Sequence, residues 1–121
     1  LTARQMTLAW SLIPHVTQHD LADITDLEEF RKDRDVKGGK LTVTAFVLKA
    51  AAAALRQFPA FNSSLDLANN QLILKKYVHI GVAVDTRGGL LVPVIRNVDQ
   101  KGVEELAAEL NETAEKARAG K

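Results

Sequence analysis

Three histidines are the first residues in this chain that could do chemistry. His15 and His19 stand four apart, with Asp20 and Asp23 close behind. Imidazole nitrogens and carboxylates are ligands for a divalent metal, so the run is one candidate metal site. The plainer reading, a polar edge strand, is preferred, and no metal is expected. His19 to Asp23 also has the form H-x-x-x-D, and a histidine base oriented by a carboxylate is a sensible acid–base unit. The segment is polar and no glycine follows the Asp, so it too reads as structure. His79 opens an apolar run, where a hydrogen-bonded structural histidine is expected. The stretch Arg31-Lys32-Asp33-Arg34-Asp35-Val36-Lys37 reads as a solvated helix end; its functional alternative is a phosphate contact, because guanidinium groups bind phosphate bidentately. Phe61-Asn62-Ser63-Ser64, after Pro59, is turn chemistry or a set of hydrogen-bonding groups offered to a ligand by a loop. No Ser/His/Asp set has a recognisable context. Neither Gly38-Gly39 nor Gly88-Gly89 has the spacing of a phosphate-binding loop.

Those residues must be held by local elements. Met6, Ala9, Trp10 and Ile13 recur at helical spacing and predict a helix over 2–13, ended by Pro14. His15 to Ile24 reads as an extended strand. Thr25-Asp26-Leu27-Glu28 has the form of a capping box and predicts a short helix with Leu27 and Phe30 inward, broken at Gly38-Gly39. Residues 42–58 form the strongest helix. Its polar exceptions, Thr42, Lys49 and Arg56, fall on one narrow stripe, so the helix should be buried on most sides. Pro59 stops it. Leu65 and Leu67, then Leu72 and Leu74, flank Asn69-Asn70 and predict a hairpin. Val78–Val84 and Leu90–Ile95 predict adjacent antiparallel strands around Asp85–Gly89, with Pro93 marking an edge or a bulge. Gly102 to Ala119 is a helix with one apolar stripe and charges placed as the helix dipole prefers. The class is α/β (α+β), with mostly antiparallel strands. Two buried-looking helices and four or five strands carry more apolar surface than 121 residues can cover, which predicts that part of the sheet or a neighbouring subunit is missing.

Composition narrows the classes. The chain is 46% apolar with 26% charged residues, so it can bury a core and is not a disordered segment. Net charge is +1, from 16 basic and 15 acidic residues, which argues against a nucleic-acid partner. No apolar run approaches the ~20 residues of a membrane span, and no signal-peptide layout opens the chain. Cysteine is absent, which removes disulfides and thiolate catalysis. The first residue is Leu, which predicts a piece of a longer protein.

Three segments carry a resemblance. They are Ile13-Pro14-His15-Val16-Thr17-Gln18 followed by Asp23-Ile24-Thr25-Asp26-Leu27 and Arg31; Leu48-Lys49-Ala50 leading to 58–65; and Lys75–Thr86 followed by Gly89–Arg96. In this order they resemble the catalytic core of the 2-oxoacid dehydrogenase dihydrolipoamide acyltransferases, most of all the acetyltransferases of pyruvate dehydrogenase complexes. The resemblance implies an incomplete chloramphenicol-acetyltransferase-like fold, a mixed and mostly antiparallel sheet with flanking helices. It implies coenzyme A as a substrate, a lipoyl group carried on a separate domain, homotrimers assembling into a larger core with the other subunits of the complex, and a cytoplasmic or, in a eukaryote, mitochondrial-matrix location. The family's base lies in a D-H-R-x-x-D-G-like motif and its oxyanion-stabilising hydroxyl in a G-G-x-F-T-like segment; neither occurs in residues 1–121, and the lipoyl and peripheral-subunit-binding modules are absent too. The chain thus resembles the N-terminal portion of one catalytic domain with no catalytic residue of its own. Arg31, Asn62, Ser64 and, less directly, Asp66 match the coenzyme A side. A non-catalytic core relative and a succinyl or branched-chain acyltransferase are the alternatives.

Overall fold

The computed structural model describes residues 2–32, 34–36 and 39–120. Helix α1 (Thr2–Leu12) is followed by an extended stretch, α2 (Thr25–Lys32), a short antiparallel pair of β1 (Asp35–Val36) and β2 (Gly39–Lys40), and the long helix α3 (Val43–Gln57). A 3-10 turn, Pro59–Asn62, leads into the hairpin of β3 (Ser63–Asp66) and β4 (Gln71–Leu74). A second, longer hairpin contains β5 (Ile80–Gly81), β6 (Val84–Thr86), β7 (Gly89–Leu91) and β8 (Val94–Ile95), with β5 on β8 and β6 on β7. A 3-10 turn at Val98–Gln100 precedes α4 (Val103–Arg118). Among the described residues no helix is long and apolar enough to cross a membrane.

The core lies between α3 and α4 and is closed by the long hairpin. Ala45, Leu48 and Ala52 of α3 meet Leu106, Ala107 and Leu110 of α4, with Leu41, Val78, Ile95 and Val98 filling the remaining volume. The α4 stripe read from the sequence is the face that is buried, and Gly120 (φ +72°) ends the helix in the left-handed conformation that suits glycine. Gly39 (φ +137°) passes close to α4: an added Cβ would stand 2.7 Å from the Asn111 amide.

Both expected hairpins form. Asn70 takes a positive φ (51°) in the turn between β3 and β4. In the long hairpin, Ile80↔Ile95 and Val84↔Leu91 share one register, so no residue is inserted between them. Pro93 interrupts the ladder rather than bulging it. Its missing N–H costs one rung, while its carbonyl still accepts from Val82 N–H at 3.0 Å. Thr86 Oγ1 donates to the Gly89 carbonyl (2.6 Å) and closes the tip.

Four expectations need correction. His15 to Ile24 is not a strand: it has no ladder partner among the described residues, and the Asp20 carboxylate takes the Leu21 N–H (2.8 Å). The start of α2 is not a capping box. Asp23 Oδ1 accepts from both the N–H (2.9 Å) and the hydroxyl (2.6 Å) of Thr25, and Glu28 turns to Arg31 instead. Helix α2 ends at Lys32, ahead of the predicted glycine break; Gly38, like Asp33 and Lys37, lies outside the described residues. Helix α3 is buried along one stripe only, with Thr44, Val47, Ala50, Ala53 and Ala54 exposed. Two residues of its polar stripe are not simply solvated. Lys49 Nζ donates to the carbonyls of Asp99 (3.0 Å) and Lys101 (2.5 Å), and Arg56 pairs with Asp99 (2.8 Å). The stripe therefore clamps the turn that feeds α4.

Much apolar surface stays open. Trp10 on α1 is 77% exposed, Val16 93% and Leu21 98%; Leu65, Leu67, Leu72, Ile73 and Leu74 of the first hairpin are exposed as well. Exposed apolar surface on this scale favours association. The 121-residue polypeptide on its own is accordingly expected to oligomerise or aggregate in light scattering; a clean, stable monomer would contradict that expectation.

Candidate functional site

The strongest candidate surface is built where α3 stops. The Phe58 N–H still bonds back to the Ala54 carbonyl (2.8 Å), Pro59 then forces the chain into the 3-10 turn, and Asn62 arrives beside the segment that follows β4. Asn62 Nδ2 donates to the carbonyls of Lys75 (3.3 Å) and Tyr77 (2.8 Å), and Lys75 N–H donates back to the Asn62 carbonyl (2.9 Å). These three bonds fix residues 75–77 against the turn. An open cleft of about 270 Å³ results, with Leu55, Pro59 and Val78 as apolar lining and Arg56, Lys75 and Lys76 as cations. Such a surface suits a ligand with one apolar and one anionic part.

The structure separates the residues that the sequence grouped. Asn62 lines the cleft, but both of its amide N–H groups are spent on backbone carbonyls. Ser63 and Ser64, read as loop residues, already belong to β3, and Ser64 is exposed opposite Ile73. Asp66 lies two residues further along the same strand, hence on the same side of it as Ser64. Its carboxylate accepts from the Asn69 N–H (3.1 Å) and side-chain amide (2.8 Å), and these bonds, the side-chain one foremost, lower its pKa. Asp66 thus holds the hairpin turn.

Arg31 lies on α2 and does not line this cleft. Its Nε and Nη2 donate to the two carboxylate oxygens of Glu28 at 2.7 and 2.6 Å, with both side chains 30% exposed. The hydrogen-bonded pair lowers the pKa of Glu28 and raises that of Arg31. Two of the five guanidinium N–H donors are used in this way, and the remainder can still reach an anion. Phe30 sits edge-on to Phe46, fixing α2 against α3, and Arg34 lies 4.0 Å over the Phe30 ring.

No histidine is arranged as a base toward a nucleophile among the described residues. His79 Nδ1 accepts the Asn97 N–H (3.0 Å) while its ring lies 4.5 Å from Tyr77, the structural role expected of it. His15 stacks on Trp10 (5.3 Å). His19 lies in the exposed stretch ahead of α2, and the carboxylate of Asp23 is committed to Thr25. Among the described residues no three His, Cys, Asp or Glu side chains gather as a metal site.

Sequence reasoning did not single out Lys75 and Lys76, which line this cleft, as candidates. The adjacent pair ahead of an apolar run was a visible signal. The pairing of Asn62 with a segment thirteen residues later was not.

Comparison with known proteins sets this geometry in context. Residues 1–121 match the family described as 2-oxoacid dehydrogenases acyltransferase (catalytic domain). The dihydrolipoyllysine-residue acetyltransferase component of pyruvate dehydrogenase complex from Haemophilus influenzae is 53% identical over 118 residues, covering 93% of this chain and 21% of that protein. The solved dihydrolipoamide acetyltransferase of Azotobacter vinelandii superposes with a TM-score of 0.92 at 54% identity, covering 98% of this chain and 51% of that one. The cubic core of the pyruvate dehydrogenase multienzyme complex gives a TM-score of 0.89 at 54% identity, with the same coverage. The chain spans about a fifth of the curated relative and about half of these solved cores.

Proposed function

Since the chain belongs to the 2-oxoacid dehydrogenase acyltransferases, we propose that it is the N-terminal portion of an acetyltransferase catalytic domain. The whole protein moves an acetyl group between dihydrolipoamide and coenzyme A and assembles, through trimers, into the core of a pyruvate dehydrogenase complex. The observation that carries this reading is the 53% identity to an acetyltransferase component of such a complex over 93% of the chain. In the reaction a coenzyme A thiol, deprotonated by a base, attacks the thioester carbonyl; the tetrahedral oxyanion collapses and the dihydrolipoyl sulfur leaves and takes up a proton. Neither the base nor the oxyanion donor is assigned to these 121 residues. Their part is to bind and orient the coenzyme.

Arg31, Ser64 and the Asn62 turn are the coenzyme side of that site, with Asp66 supporting it from the hairpin turn. Three of the five guanidinium donors of Arg31 remain for a phosphate after its pairing with Glu28. In the complete protein, Arg31→Ala is expected to raise KM for coenzyme A severalfold while core assembly and KM for dihydrolipoamide stay unchanged. An unaltered KM for coenzyme A removes Arg31 from the site.

The function itself is tested by offering the complete protein acetyl-, succinyl- and isobutyryl-dihydrolipoamide with coenzyme A. Preferential formation of acetyl-coenzyme A is expected. A preference for a longer or branched acyl group reassigns the substrate, and an assembled core without turnover reassigns the protein to a structural role.

A further inference from the structure

We propose that Lys75 and Lys76 are the residues that recognise a phosphate-bearing end of coenzyme A, and that Asn62 is a positioning residue that presents them. The proposal rests on the function proposed above and names the charges that serve it. The cleft at the end of α3 has two chemically different parts. Leu55 and Pro59 give an apolar wall over the buried Val78, and Lys75 and Lys76 give cations. The third cation, Arg56, is already paired with Asp99. Neither lysine is paired with a carboxylate among the described residues, whose four ion pairs involve other side chains. Two lysines lining one cleft with no carboxylate partner among the described residues give it a local positive potential that favours an anionic group. Arg31, by contrast, is already charge-compensated by Glu28.

The backbone that carries the lysines is also held in place. Asn62 bonds the carbonyls of Lys75 and Tyr77, on either side of Lys76, and its own carbonyl takes the Lys75 N–H. With both amide N–H groups used on the backbone, Asn62 acts on the ligand through the lysines. Fixing the backbone that carries the two cations lowers part of the ordering cost of binding.

The test uses the complete protein, with KM and kcat measured for coenzyme A and for 3′-dephospho-coenzyme A. Replacing both lysines (Lys75→Gln with Lys76→Gln) is expected to raise KM for coenzyme A about tenfold and to shrink the preference over the dephospho form, leaving kcat and KM for dihydrolipoamide unchanged. Lys75→Arg with Lys76→Arg should restore most of the affinity, and Asn62→Ala should move KM for coenzyme A in the same direction as the glutamine pair. A glutamine pair that assembles normally and keeps the original KM overturns the inference while leaving the function intact. Should the glutamine pair fail to assemble, Lys76→Gln alone, at an exposed position, decides: a raised KM for coenzyme A with a smaller preference over the dephospho form supports the proposal, and an unchanged KM and preference overturn it. A wild-type protein that assembles yet transfers no acetyl group to coenzyme A overturns the function and this inference together.

Discussion

The 121-residue chain, purified alone and given acetyl-dihydrolipoamide and coenzyme A, is expected to form acetyl-coenzyme A no faster than buffer does. A positioned general base contributes about 10²–10⁴-fold to a reaction of this type, and preorganised oxyanion donors about 10²–10³-fold each. None of the three histidines is placed for the first task. His79 has Nδ1 committed to the Asn97 N–H, His15 is stacked on Trp10, and His19 lies in an exposed stretch whose neighbouring Asp23 caps α2. The role proposed for these residues is coenzyme binding, which without an attacking thiolate and an oxyanion site lowers no barrier. Robust turnover by this polypeptide, with nothing else added, would show that the base lies within it after all.

In the complete protein, Leu106→Ala is expected to cost about 2–5 kcal/mol of stability, read as a lower denaturation midpoint at an unchanged denaturant slope. Leu106 is fully buried, 0% exposed, in the cluster that joins α4 to α3 and to the end of the long hairpin. Its neighbours Ala45, Ala52 and Ala107 are short and are set on helices, so they cannot reach across to fill the void. The same substitution carries through to the cleft, because α3 delivers Pro59 and Asn62 and is held by that cluster; coenzyme affinity should weaken along with stability. A cost below about 0.5 kcal/mol, the scale of a surface change, would show that the α3–α4 packing does not support the fold.

Helices α3 and α4 and both hairpins were legible because their signals are local: apolar spacing along one face, Pro59 and Gly102 as boundaries, Asn69-Asn70 and Gly88-Gly89 at the turns. The segment His15–Ile24 was misread because strand pairing depends on a partner that its own residues do not reveal. The capping box failed for a related reason: Asp23, two residues ahead of Thr25, competes for the same hydrogen bonds, and Arg31 competes for Glu28. The apolar run of α3 showed how much surface must be covered, but not which side the chain itself covers. The residues proposed for the coenzyme were legible only through the family resemblance. Composition and spacing left Arg31 a solvated helix end and Asn62 a turn residue. The link from Asn62 to Lys75 and Tyr77 is made by side-chain–backbone hydrogen bonds across a hairpin, which no periodicity encodes.

The central claim is that this chain supplies the coenzyme-binding part of an acetyltransferase site whose base lies elsewhere in the protein. Backbone hydrogen–deuterium exchange of the complete assembled protein, with and without coenzyme A, tests it most directly. Protection on binding is predicted at residues 62–66 and 75–78 and around Arg31, with no change along the buried face of α4. Protection that falls wholly outside these segments, with the coenzyme bound, would contradict the account.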